Sequence, residues 1–221
     1  MSLWAAALLL AGAAAPVAPH LTGKYAPRDE CLAQPGGRTF RQAFGRAVRT
    51  RNVAAFLALT SPDVKLDFGG GSGRADLRRR LTGDEGARLW REFDRLLPLG
   101  CGVMEGRLVA PWLFAHFEED DPFSVMIVTG ARVPLLASPR GDARAVRLLS
   151  WTVVEPLLAD DFEKPFRKVR SGGVEGYVAT SRLRSPADYR LIAGRRGGRW
   201  QIEAFRCPVC RHLELFASKP A

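Results

Sequence analysis

Two places in this sequence bring chemically reactive side chains close together: Cys207-Pro208-Val209-Cys210 and the stretch around His116. A C-x-x-C pair is a redox dithiol or half of a zinc site. The redox reading needs a βαβ framework around the pair, and none surrounds it; eleven residues follow Cys210. A zinc site needs a second close pair, and the other cysteines, Cys31 and Cys101, stand apart. His212 is a third ligand candidate, and a fourth would have to be Cys31 or Cys101. An even set of four cysteines favours structural disulfides in an oxidising compartment. Four cysteines allow three pairings, of which Cys31 with Cys101 and Cys207 with Cys210 is the simplest.

His116 lies in AHFEEDDPF, beside Glu118, Glu119, Asp120 and Asp121. Imidazole and carboxylates suit several divalent ions. The spacing matches no metal loop, so the expectation is an acidic, solvated connection and no metal. His20 and His212 fall near the ends, which leaves His116 as the sole centre for a histidine triad. No G-x-S-x-G, P-loop or dinucleotide fingerprint occurs. Gly69 to Gly73 is glycine-rich but lacks the Gly-Lys-Ser/Thr ending, so it reads as a strand-to-helix turn. No catalytic residue and no cofactor is assigned.

The elements that must position these groups begin after an apolar run, Leu3 to Ala18. Its length suits a signal-peptide core and is short for a membrane span. Residues 1–18 are therefore expected to be an export signal, although no Lys or Arg precedes the run; a buried or anchoring helix is the alternative. The body holds no comparable apolar run, so no membrane span is expected after signal removal. The expected location is periplasmic or secreted.

The formal net charge is +10, and all but five of the basic residues are arginine. Such a surface attracts anionic polymers. The basic residues are dispersed and not interleaved with aromatics, so no nucleic-acid partner is expected.

Residues 19–36 read as a linker. Phe40, Phe44, Ala47 and Val48 recur at helical spacing, and Asn52 is placed to cap a second helix through Val53, Phe56 and Leu57 that ends at Ser61-Pro62. Val64, Leu66 and Phe68 alternate with charges, which predicts a half-buried strand. Helices follow over Arg74 to Leu81 and Glu85 to Leu97. From Ser124 to Ser185, short β runs separated by SPRGD, LADD and SGG predict a small closed β-barrel. Tyr189, Leu191 and Ala193, then Trp200, Ile202 and Ala204 around Gly197-Gly198, predict a β-hairpin.

The barrel segment resembles a bacterial Src-homology-3-type (SH3) domain. The likeness is carried by Val133 and Leu135 before Ser138-Pro139, by Leu148 to Trp151, by Lys168-Val169, and by Gly176-Tyr177-Val178 with Leu183. Pro134 and Leu135 depart from it, since such domains often carry Asn and Arg there. With GYVATSRLRSPADYR and GGRWQIEAF, the chain is similar to an uncharacterised exported bacterial protein group, which implies an envelope protein. Residues 38–81 resemble the cone-shaped nuclear-transport-factor-2-like fold, which hosts enzymes and binding modules alike.

The expected architecture is α+β: an N-terminal helical domain with a small antiparallel sheet over 37–120, an SH3-like barrel over 124–185, a hairpin over 187–206 that either stands alone or completes the first domain, and a tail over 207–221. The expected function is non-enzymatic binding of an envelope peptide or peptidoglycan feature. Trp151, Phe166 and Tyr177 are the candidate groove residues, unless they fill the barrel interior. The alternatives are a hydrolase or isomerase in the cone-like domain, with the barrel as a targeting module, and a redox or metal role for Cys207 and Cys210.

Overall fold

The computed structural model describes residues 22–66, 71–119, 121–157 and 164–206. The expected signal, the Cys207/Cys210 pair, His212, Gly69 and Gly70 of the glycine-rich turn, and the loop at Asp160-Asp161 lie outside the described residues.

The chain opens with a strap from Thr22 and a 3₁₀ turn, Glu30–Ala33, then α1 (Gly37–Arg49) and α2 (Val53–Ala58). α1 forms because Phe40, Phe44, Ala47 and Val48 share one face, and all four are buried. Asn52 caps α2 by accepting the Ala55 amide hydrogen at 2.9 Å. β1 (Thr60–Lys65), α3 (Gly73–Thr82), α4 (Gly86–Leu96), β2 (Gly102–Met104), β3 (Arg107–Ala110) and α5 (Trp112–Ala115) follow. The Ser61-Pro62 pair does not close a helix, as expected, but runs inside β1. Proline is tolerated there because β1 is an edge strand of its sheet.

The second half is stranded: β4 (Met126–Val128), β5 (Val133–Leu136), β6 (Ala145–Leu149), β7 (Val153–Pro156), β8 (Phe166–Ser171), β9 (Val174–Ala179) and β10 (Leu183–Arg184). The hairpin β11 (Arg190–Arg196) and β12 (Arg199–Arg206) ends the described chain. Gly197 and Gly198 both have positive φ (55° and 77°), which a two-residue I′ turn requires.

The strands make two sheets. The first has the order β1-β12-β11-β3-β2, so the hairpin occupies its centre. It is mixed rather than antiparallel as expected, because β1 runs parallel to β12. The second has the order β10-β4-β7-β8-β9-β5-β6, antiparallel throughout. It is not the closed barrel predicted. β10 has two residues and pairs with β4, β6 pairs with β5, and no ladder joins these two edges among the described residues. A two-residue strand followed by Ser185-Pro186 offers too few donors to close a sheet on its second side.

The helices and the first sheet enclose the larger core. Phe44, Phe56, Trp90, Phe93 and Phe205 interlock there, with Phe93 at the hub: its ring centroid lies 4.3 Å from Phe205 and 4.5 Å from Phe56. A smaller core of Val128, Leu135, Val154, Val169 and Val178 lies under the second sheet.

The strap from Thr22 to Asp29, expected to be part of a linker, instead fills the seam between the two sheets. Tyr25 is 1% exposed and its amide donates to the Trp151 carbonyl at 3.0 Å. The Arg28 carbonyl accepts from the Cys101 amide at 2.8 Å. That approach is possible because Gly100 carries no side chain: a Cβ there would sit 2.0 Å from the Arg28 oxygen. The apolar residues Tyr25 and Ala26 are what draw the strap inward, through burial of their surface. A Cys31–Cys101 disulfide, with both residues buried, staples the 3₁₀ turn that follows the strap to the residue preceding β2, across 70 residues of sequence. Cross-links of this kind contribute about 2–4 kcal/mol.

Candidate functional site

The three groove candidates do not converge. Trp151 is 8% exposed and packs with Ala26 and Leu99 in the seam. Its backbone has φ +44°, and its buried indole Nε1 finds no hydrogen-bond partner among the described residues. Phe166 and Tyr177, by contrast, lie half-buried on adjacent strands of the second sheet. β8 alternates strictly: Arg167, Val169 and Ser171 point inward, while Phe166, Lys168 and Arg170 face outward. Tyr177 sits directly opposite Lys168, and Phe166 opposite Ala179, so the two rings are diagonal neighbours on one face. Around them, Lys168 pairs with Glu175 at 3.0 Å, and Arg170 pairs with Glu175 at 2.8 Å and with Glu155 at 3.5 Å. The face is therefore aromatic and zwitterionic, suited to gripping a peptide backbone with charged ends.

A second constellation was not legible as such in the sequence. Among the described residues, the ring of His116 meets not the acidic stretch that follows it but Glu30, 86 residues earlier, with Nε2 3.0 Å from Oε2. The other oxygen of Glu30 accepts from the Trp112 indole Nε1 at 2.9 Å, and Oε2 also accepts from the Val103 amide at 3.3 Å. His116 stacks on Trp112 at 4.3 Å, and the Arg28 guanidinium lies 5.0 Å from the centroid of the same indole. Glu30 comes from the 3₁₀ turn, Trp112 from α5 and Val103 from β2, so the carboxylate ties three elements. Burial pushes its carboxyl up, but the Trp112 indole, His116 and the Val103 amide together hold it below the ordinary carboxylate range.

Glu118 and Glu119 turn instead to Lys24, with contacts of 3.4 and 2.9 Å. The hydrogen bond to Glu119 holds the Lys24 ammonium above its usual range. Among the described residues, the grouping of Asp29 with Cys31 and Cys101 has the closeness of a metal site, but both sulfurs are consumed by the disulfide.

A carboxylate holding an imidazole is the arrangement of a general base. Here the only ring hydrogen bond among the described residues runs to Glu30, and Trp112 covers one ring face. The cluster thus acts as a tie between strap and α5. The sign of its pH dependence follows from the depressed carboxyl: its stabilisation is present above the unfolded pKa of Glu and is lost as pH falls through the lower folded value. Glu30→Gln should cost about 1 kcal/mol at neutral pH, the net worth of a charge-assisted hydrogen-bond set that is partly solvated. Urea titrations at neutral pH and near the folded carboxyl's titration should find the wild-type advantage shrinking at the lower pH.

No family model matches the chain, and no curated protein does. Among solved structures, the chain is similar to a nuclear-transport-factor-2-like protein with a cystatin-like fold from Novosphingobium aromaticivorans, at 12% identity and a TM-score of 0.29, covering 76% of each chain. It is also similar to a nuclear-transport-factor-2-like protein of unknown function from Pseudomonas putida KT2440, at 9% identity and a TM-score of 0.27, covering 81% of this chain and 87% of that one.

Proposed function

We propose that the protein is a non-enzymatic, exported cell-envelope protein whose second sheet binds a peptide, in the form of the stem peptide of peptidoglycan. The observation that carries this reading is the outward pair Phe166 and Tyr177, half-exposed on neighbouring strands and framed by Lys168, Arg170 and Glu175. Half-exposed rings bordered by paired charges give contact area at low entropic cost and a means of reading peptide termini.

The unit that presents them is read as an SH3-type domain inserted, over 124–185, into a first domain made of 37–120 and 187–206. The support is the 3₁₀ turn Thr180–Arg182 between β9 and β10, the return of β10 onto β4, and the central place of β11 and β12 in the first sheet. Export is read from the apolar run at Leu3 to Ala18 and fits a buried structural disulfide. No described helix is long and apolar enough to cross a membrane. An enzyme housed in the first domain has less support, because the space between its helices and its sheet is filled by Phe44, Phe56, Trp90, Phe93 and Phe205.

The test is co-sedimentation of the full chain with purified sacculi. Phe166→Ala and Tyr177→Ala should each weaken binding about tenfold or more, as buried aromatic anchors do, while circular dichroism stays unchanged. Folded variants that sediment like the wild type, or a wild type that stays in the supernatant, would overturn the reading.

A further inference from the structure

The peptide-binding reading leaves the charge of the first domain unused. From Cys31 to Pro62 the chain contains no carboxylate, yet it carries five arginines. Two of these are neutralised from outside: Arg41 by Asp29 at 2.9 Å, and Arg51 by Asp94. The other three, Arg38, Arg46 and Arg49, are exposed and make no ion pair among the described residues.

Helical geometry aligns these three. At 100° and 1.5 Å per residue, they fall within an arc of roughly 80° along about 16 Å of α1. Thr39, Gln42 and Thr50 complete the exposed positions beside them. No apolar side chain shares this face, so it offers charge and hydrogen bonds without an inserting wedge.

The hairpin tip extends the stripe. Trp200 donates its indole hydrogen to the Pro35 carbonyl at 2.9 Å, which seats the tip beside the start of α1. Arg195 is exposed and lies 5.4 Å from the centroid of the Trp200 ring, its direct cross-strand partner. From Tyr189 to Ile202 this hairpin also lacks any carboxylate; Arg196 and its cross-strand partner Arg199 share the other face, where Asp63 and Glu203 hold Arg196 at 3.0 and 3.1 Å.

We infer that α1 and the hairpin tip form an electropositive face that docks onto an anionic lipid bilayer. Charge complementarity selects the class of partner. A single-stranded nucleic acid would call for stacking rings among the cations, and this face exposes none. A bilayer surface requires only an array of cations that can reach its anionic headgroups together.

The full chain should co-sediment with phosphatidylcholine vesicles containing phosphatidylglycerol more strongly than with phosphatidylcholine alone, and salt should reduce the difference. The triple variant R38Q/R46Q/R49Q should bind the anionic vesicles on the order of 100-fold more weakly, from roughly fivefold per lost cation. The control R78Q/R91Q/R144Q removes the same net charge elsewhere and should bind within a few-fold of wild type. Equal losses in the two triple variants would overturn the proposal, because net charge alone would then account for binding. So would equal binding to both kinds of vesicle, or retention by a sulfated polysaccharide column with no vesicle binding at all.

Discussion

Phe93→Ala is expected to cost the fold about 4 kcal/mol and to lower the thermal midpoint by on the order of 10 °C. The size follows from position. Phe93 is fully buried on α4, and its ring meets Phe44, Phe56, Trp90 and Phe205 at centroid distances from 4.3 to 6.2 Å. These partners come from α1, α2, α4 and β12, so one truncation empties the point where all four elements meet. Rings on four rigid elements cannot collapse into the void together, so most of the cavity persists. Phe93→Leu refills much of the volume and should recover most of the loss. Guanidinium titration of both variants checks this; a Phe93→Ala loss near zero would mean that the ring cluster does not organise the first domain.

The second large effect belongs to a buried charge. Arg184, the last residue of β10, is 7% exposed; it donates to the Tyr189 carbonyl at 2.7 Å and pairs with Asp188 at 3.3 Å. Glu92 on α4 acts on the same group and is itself bound by Arg95 at 2.7 Å. Burial holds the Arg184 guanidinium below its usual range and pushes the Glu92 carboxyl up. Arg184→Ala should therefore cost about 3–5 kcal/mol, because it removes a buried cation beside Glu92, whose charged form burial already disfavours, and leaves the Tyr189 carbonyl without that donor. The sign with pH is definite. A carboxyl raised in the fold contributes stability below its unfolded pKa and loses it as pH rises through the folded value. Without Arg184, Glu92 rises further, so the variant's deficit should deepen as pH rises from mildly acidic to neutral. Replacing Arg184, Asp188 and Glu92 together by apolar residues of similar volume should restore much of the stability. A deficit independent of pH would show that the lost hydrogen bond to Tyr189, and not the charges, sets the cost.

Much of the first domain was readable because periodicity is local. Phe40, Phe44, Ala47 and Val48 mark α1 within twelve residues of chain, Asn52 announces a cap, and Gly197-Gly198 announces a hairpin. The pairing of Cys31 with Cys101 was the simplest of three choices on paper and is the one the fold makes. The orientation of a half-buried ring was not readable. Phe166, Tyr177 and Trp151 look alike in sequence, yet strand parity turns the first two outward while a bend with positive φ buries the third. Closure of the second sheet was also beyond the sequence, since it depends on how many residues of β10 escape before Pro186.

What the residues determined by themselves were the element types, because hydrophobic spacing and turn chemistry act over a few residues. What only the tertiary structure decided was partnership across long stretches of chain. Glu30 meets His116 rather than its own neighbours, the Thr22–Asp29 strap enters the seam, and the terminal hairpin takes the middle of the first sheet. Those choices turn on which buried polar and apolar groups can be satisfied at once in three dimensions, and no local pattern encodes that.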